Sequence, residues 1–473
     1  MVFTDYDSIK FYSDVQSDTV IYAEFIIPSD GESMPDRKKF VKIDNALFAS
    51  YLREIVIPDL TEKTSAGEII RKVKDRISLW GNQDRVSPKV RTAGKLADGC
   101  IEYDLMNDDV QYVRVTAERW GVTKKAKQKF LRGNLSLTQS MPKPPTKPLL
   151  DLLHPYVNCD GDSLILFVVW LVQSFCEGNH SILLVMAGKG CGKSTLSKII
   201  RQIIDPSKLE VATMPKKLDD LTVTLTNTYV AAFDNTDELT KEQSNLLCSS
   251  VTGATTVKRE LYSTNDLCVL TLHNTLIING IDIMPSESDL ADRCLLLNLL
   301  PIDSSHRKTD SDIHGRFMAD LPEILGGIFD ALSKAMTTIH SISPRNLPRM
   351  AESYKEMLAI ALALGITETH FQTIYNANLN AIDKARSDIA IVQAVKEYMT
   401  SQFVPGRKLS GTATELYKKI CANYSGHKQD LPKSASHFSR KLNAEHAALY
   451  AAGYTVNIDR THADGTHIEI IKK

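Results

Sequence analysis

Lys193, Ser194 and Thr195 follow a run of glycines and precede a helical pattern, an order suited to holding phosphate. The stretch is SILLVMAGKGCGKSTLSKII, residues 181–200. Residues 181–186 are apolar enough for a buried strand, and from Lys193 onward apolar residues recur at helical spacing. Between them stand Ala187, Gly188, Lys189, Gly190, Cys191 and Gly192. The phosphate-loop pattern G-x-x-x-x-G-K-[ST] asks for glycine where Ala187 sits. The physical requirement is backbone N–H groups converging on phosphate oxygens, and Gly188, Gly190 and Gly192 give the loop freedom to provide them. Lys193 would reach the β- and γ-phosphates, and the Ser194 hydroxyl would take Mg²⁺. The helix that follows turns its positive end toward the same charge. The expected ligands are ATP and Mg²⁺, with Cys191 a passive filler of the loop.

Three further residues have types and positions that fit nucleotide chemistry. Residues 227–234, NTYVAAFD, read as an apolar strand ending in Asp234, an acid suited to hold Mg²⁺. The plainer alternative is an aspartate that caps a turn. Residues 275–278, TLII, lead into Asn279 and Gly280. An amide at a strand tip can position an attacking water, whereas an Asn-Gly pair can also simply turn the chain. In DLADRCLLLNL, Arg293 stands just ahead of the last apolar strand. An arginine there can project into a neighbouring subunit's site, a device worth roughly 10³–10⁵ in rate. Its alternative is a surface ion pair.

These strings, AFDN, LIING and DLADR after a phosphate loop, resemble the helicase branch of the AAA+ ATPases. They look most like the superfamily 3 and MCM-like replicative helicases of phages, plasmids and mobile elements. The likeness extends to YDL, VRVTAERWGV and DLLHPYVN before the loop and to FSRKLN and GYTVNIDR near the end. It covers most of residues 90–473 and reaches residues 1–85 only loosely.

The resemblance implies a homo-oligomeric, hexameric ring with ATP–Mg²⁺ at subunit interfaces. Hydrolysis would drive the ring along single-stranded DNA and unwind a duplex, as in a mobile-element replication initiator. No primase signature precedes the motor, so a separate primase or replication protein is the expected partner. Arg349, in NLPRMAESYK, is the candidate for the sensor 2 arginine of such motors.

One departure bears on rate. Where many relatives carry a second acid after the Mg²⁺ ligand, this chain has Asn235, with Asp237 and Glu238 a little further on. That favours an alternative, a non-translocating AAA+ switch such as a helicase loader, DNA-bound regulator or defence ATPase. A small-molecule kinase is a further alternative. The Asn-tipped strand, the pre-strand arginine and the basic C-terminal region argue against it.

The DNA contacts expected from the sequence lie in two places. Residues 255–274 read as a hairpin turning at 263–266, and in the resembled helicases such a hairpin points basic residues into the channel; Lys258 and Arg259 are the candidates. From residue 386 onward there are 13 Lys plus Arg against 8 Asp plus Glu, and five His, so this region is basic while the whole chain is −1. Its pattern is helices, a last helix over 434–453, then two alternating strands around Ala463, Asp464 and Gly465. That is the order of a winged helix-turn-helix, with Ser436, His437, Arg440 and Lys441 on the reading helix and Arg460 and His462 in the wing. A protein-contact role is the alternative. The run KKAKQKFLR, residues 124–132, either adds to a basic collar or is a solvated charge run.

The elements that must position these residues follow from the rest of the chain. With 473 residues, 43% hydrophobic and 24% charged, the chain suits several globular domains and not wholesale disorder. Helices are expected over 42–54 and 66–80, then a small β-meander over 86–122. The proline cluster MPKPPTKP, residues 141–148, marks a boundary. The expected division is an α+β region over 1–140, an α/β motor with parallel sheet and helical lid over 149–380, and the winged module over 386–473. None of the eight cysteines forms a CxxC pair, so no zinc site or disulfide framework is indicated. The first residues lack a leader's layout, and the longest apolar run, 164–172, falls short of the ~18–20 needed to span a bilayer. A cytoplasmic protein without a membrane partner is expected.

Overall fold

The computed structural model describes residues 9–15, 20–27, 37–53, 65–80, 84–133, 135–188, 190–236, 239–253, 255–259, 267–280, 288–303, 305, 307–345, 347–387, 390–401, 408–425, 431–459 and 465–472.

The chain opens with β1 (Lys10–Asp14), β2 (Ile21–Ile27) and β3 (Arg37–Lys42), followed by α1 (Ala46–Tyr51), α2 (Ala66–Trp80) and β4 (Asp84–Val86). The sheet order is β3-β2-β1-β4, with β4 parallel to β1 and the rest antiparallel. On α2 the buried Ile69, Val73 and Ile77 recur every fourth residue, so one stripe of the helix meets Phe25 and Phe48 beneath the sheet. The opposite face carries Tyr12, Tyr22 and Phe40. The helix expected over 42–54 is shorter, because Asn45 caps it at Leu47 N–H. The helix over 66–80 is as expected.

The β-meander follows as β5 (Thr92–Ala93), β6 (Cys100–Asp104), β7 (Tyr112–Thr116) and β8 (Trp120–Thr123), antiparallel throughout. The proline-rich stretch after it lies against a long helix. Lys143 donates to the Pro322 carbonyl at 2.8 Å, and its own carbonyl would stand 1.8 Å from a Cβ on residue 326. Only glycine lets the two backbones approach so closely there.

The central region runs α3 (Leu149–Leu153), α4 (Gly161–Gln173), β9 (Ile182–Met186), α5 (Lys193–Ile204), β10 (Ala212–Thr213), α6 (Leu218–Thr226), β11 (Val230–Asp234) and α7 (Lys241–Val251). A hairpin of β12 (Thr255–Arg259) and β13 (Leu267–Thr271) comes next, then β14 (Thr275–Gly280), α8 (Ser288–Ala291) and β15 (Cys294–Asn298). Three helices close it: α9 (Asp310–Thr338), α10 (Ala351–Ala363) and α11 (Glu368–Ser387).

Five strands form a parallel sheet in the order β10-β11-β14-β9-β15. Both faces are covered, which is why the inner strands read as continuous apolar runs. Leu183 and Val185 join the core shared with α4, α5, α9, α10 and the meander, while Ile182 and Leu184 join the one beneath α6, α7 and α8. The architecture is mixed α/β with a parallel sheet. No single helix among the described residues is long and apolar enough to cross a membrane.

The C-terminal region contains α12 (Ala390–Ser401), β16 (Lys408–Thr412), α13 (Ala413–Ala422), α14 (Ala435–Ala444), α15 (His446–Ala451), β17 (Tyr454–Asp459) and β18 (His467–Lys472). It has its own core, including Val395, Leu416, Phe438, Leu442 and Ile470. The two alternating strands pair as expected, and β16 joins them to give the order β16-β18-β17. The helix expected over 434–453 is two, α14 and α15.

Candidate nucleotide site

Parallel pairing brings three strand tips to one edge of the central sheet. Met186 of β9 lies beside Gly280 of β14, and Ile278 of β14 beside Phe233 of β11. The loop after β9, the Asn279 tip and the Asp234 tip are therefore neighbours in that order. Sequence order alone does not give this, because β14 comes after β11 in the chain yet sits between β11 and β9.

The loop from Ala187 to Gly192 turns sharply into α5. Gly190 and Gly192 have φ of +75° and +82°, a region that L side chains rarely enter. Gly192 is the N-cap of α5, so the helix starts without a side-chain cap. Lys193 curls back, its Nζ donating to the carbonyls of Ala187 and Gly188 at 2.7 and 2.8 Å. Ser194 is exposed on the first turn, and Thr195 Oγ1 donates to Asp310 Oδ1 at 3.2 Å. Cys191 is buried beneath the loop. Lys189 lies outside the described residues.

Asp234 is half-buried at the end of β11. Asn279 is fully buried and engaged at both ends of its amide. Its Nδ2 donates to Ser197 Oγ on α5 at 3.0 Å, and its Oδ1 accepts from Asn235 N–H at 3.0 Å. Asn235 has φ +50°, so the chain leaves β11 through a left-handed residue. Asp237 and Glu238 lie outside the described residues.

A cavity of about 640 Å³ opens beside the loop. One wall is the segment from His154 to Cys159; another is Ile302, Arg307, Lys308 and the start of α9. The Tyr156 hydroxyl donates to Asp320 at 2.6 Å; burial, then that bond, raises its pKa. Burial, with Asp160 nearby, pushes the Cys159 thiol up to about 12, so it stays protonated and inert. Arg307 Nη2 is 3.6 Å from where a Cβ on Gly190 would stand. The sequence reading did not single it out. The signal available was RK at 307–308, just before the capped start of a helix.

Arg293 is at the other end of the sheet. Its carbonyl accepts from Ile182 N–H at 2.8 Å, at the start of β9. At ~3.3 Å per strand residue that is roughly 15 Å from the loop of its own chain. The Arg293 guanidinium pairs with Asp289 at 2.8 Å. Arg349, the sensor 2 candidate, pairs with Asp289 and, at 2.8 Å, with Asp292. It braces the Arg293 turn. The bond from Arg293 holds the Asp289 carboxyl below its ordinary range despite partial burial, and Arg349 adds to this.

The remaining candidates stand apart. Lys258 and Arg259 are on β12 of the hairpin, with side chains outside the described residues. Ser436, His437 and Arg440 form an exposed face of α14, with Lys441 half-buried beside Glu445 at 3.6 Å. Arg460 and His462 lie outside the described residues.

Known proteins place part of this chain. The chain is similar to a solved structure described as "SCCmec type IV Cch - active helicase", at 13% identity over 98% of this chain and 92% of that one, TM-score 0.44. It is also similar to "The A form apo structure of NrS-1 C terminal region-CTR", at 12% identity over 99% and 97%, TM-score 0.41. No curated protein matches. Residues 149–383 match the family described as actinomycete integrative conjugative element replication protein. That stretch is just under half of the chain.

Proposed function

We propose that the protein is an ATP-driven DNA motor of the AAA+ type, a ring-forming helicase that acts in replication of a mobile element. ATP is held at the loop 187–192, with Lys193 at the β- and γ-phosphates. Ser194 and Asp234 are the Mg²⁺ ligands. The donor set fits: two glycines in left-handed conformation, an ammonium bonded to loop carbonyls, and an acid two strands away. Bound Mg²⁺ would polarise the γ-phosphate, and this chain's residues orient it. The cavity walled by 154–159 and Arg307 receives the rest of the nucleotide. The basic C-terminal region, with α14 and the β17–β18 hairpin, is a winged helix-turn-helix for duplex DNA, and the β12–β13 hairpin faces single-stranded DNA in the channel.

The observation that carries this reading is the opposition of Arg293 and Lys193. They sit beyond opposite ends of β9, farther apart than a side chain reaches, so Arg293 can complete only the site of an adjoining copy. The family match over residues 149–383 supports the replication role. The left-handed Asn235, where a second acid would stand, favours a second reading in which turnover is slow and the ring is a DNA-bound switch.

The test is ATP turnover with and without single-stranded DNA, for the parent, Lys193→Ala and Arg293→Ala. Each variant alone should be inactive, Arg293→Ala by about 10³–10⁵-fold. Mixed, they should recover part of the parent rate, since some interfaces then pair an intact loop with an intact arginine. Assembly without recovery would overturn the shared site. Recovered turnover without strand separation would select the switch.

A further inference from the structure

The run at 124–132 has the composition of a solvated charge run, yet its backbone is fixed. The N–H groups of Lys127 and Gln128 donate to the Glu102 carboxylate at 2.8 and 3.1 Å. Glu102 is buried and also binds the Arg114 guanidinium, which holds the Lys125 carbonyl at 2.6 Å. Further on, Lys89 N–H donates to the Lys129 carbonyl and Leu131 N–H to that of Lys89, at 2.9 and 2.8 Å. Arg132 grips the buried Asp104 at 2.6 Å. Two buried carboxylates therefore pin this strap. Its outward lysines, Lys124, Lys125 and Lys127, are exposed and form no ion pair among the described residues.

Facing the strap is the aromatic side of the N-terminal sheet. Lys129 crosses between them, bonded to Glu24 at 2.7 Å and 4.9 Å from the Tyr12 ring centre. Lys38 reaches the same carboxylate at 2.8 Å from β3. A cavity of about 360 Å³ lies between strap and sheet. Seven Lys and Arg residues line it against one acid, Glu24, whose oxygens already take two ammonium groups and the Tyr12 hydroxyl. In a chain of net charge −1 that excess is local.

We infer that this groove is a track for consecutive phosphates of a DNA backbone. The inference rests on the DNA-handling reading above and adds a contact surface separate from the hairpin and the C-terminal region. Lysines present point charge without a base-reading fork, so the contact is independent of sequence. A fixed backbone presets their spacing and spares the ordering cost that a floppy run would incur on binding.

The test compares the full-length parent with a Lys124→Gln/Lys125→Gln/Lys127→Gln variant. Fluorescence anisotropy reads binding of a single-stranded oligo-dT and of a duplex of equal length across a salt series. A Lys208→Gln/Lys216→Gln/Lys334→Gln variant controls for lost charge elsewhere, and ATP turnover without DNA checks that each variant is folded. Loss of three phosphate contacts should flatten the log–log salt dependence by about 2 for a single strand or about 2.7 for a duplex. Single-strand affinity at 0.1 M salt should fall by roughly 10²-fold, and less toward 1 M. The arm that changes identifies the occupant, and either supports the track. A strap variant that matches the control on both DNAs, while the parent binds DNA, overturns the track alone. A parent that binds neither DNA overturns the DNA reading with it.

Discussion

Asn279 and Asn235 explain each other. An L residue in the left-handed region is strained by roughly 1–2 kcal/mol, and asparagine tolerates it best after glycine. Asn235 takes that conformation at the end of β11, and its N–H is received by the Asn279 amide, which also ties in Ser197 of α5. A glutamate in place of Asn235 would meet the strain without asparagine's tolerance, which gives a conformational reason for an amide there. Replacing Asn279 by Ala should leave a buried hydroxyl and a turn N–H without partners. We expect a loss of about 1–3 kcal/mol in urea unfolding without nucleotide. An unchanged midpoint would show that the tie is not structural.

At the scale of elements, the start of β9 carries a group that links stability to pH. His180 is buried, bonded through Nδ1 to Thr275 Oγ1 at 2.9 Å and stacked on His273 at 6.4 Å. Burial, then the neighbouring imidazole, pushes its pKa down to about 3. His273, itself lowered chiefly by burial, sits near Glu177 and Lys89. The unfolded chain takes up the His180 proton near pH 6.5 and the folded chain does not, so stability is full above that value and falls as pH drops toward 3. Between pH 6.5 and 5 this group alone should remove about 1.6 kcal/mol. His180→Gln should lose that slope, measured by urea unfolding at the two pH values; an equal slope in both proteins places the pH dependence elsewhere.

What the sequence made legible follows the same physics. β9, β11, β14 and β15 are buried on both faces and announce themselves as apolar runs. β16, KLSGT, has a single large apolar residue, and β1 and β3, KFYSD and RKKFVK, mix charge with aromatics, so none of them stands out. The turn from Ala187 to Thr195 between strand and helix was readable because loop and helix are contiguous. Arg307 and the pairing of Arg349 with Asp289 were not, since each depends on elements brought together only by the fold.

On the scale of the whole molecule, Arg91 joins the N-terminal part to the parallel-sheet region. It is fully buried, bonded to Asp205 at 2.8 Å and to the carbonyls of Asp104, Leu137 and Pro206. Burial alone would raise the Asp205 pKa, but Arg201 and Arg91 together hold it low. Arg91→Leu should cost about 3–5 kcal/mol by chemical denaturation, since it strips one cation from a buried carboxylate. Arg91→Lys should not restore it, because a single ammonium cannot replace the fork that reaches four acceptors. Full rescue by lysine would reduce the residue to its charge.

The far end of α5 gives that junction a mechanical meaning. The helix begins at Lys193, and about 18 Å along its last carbonyls are plugged by Tyr103 and Gln139, with Asp205 clamped by Arg91. Tyr103 belongs to β6, which also carries Glu102 and Asp104. A splint seated at both ends cannot tilt at one without moving the other. Any shift of the helix at the Lys193 loop is thus carried through twelve residues to β6 and to the strap that Glu102 and Asp104 hold.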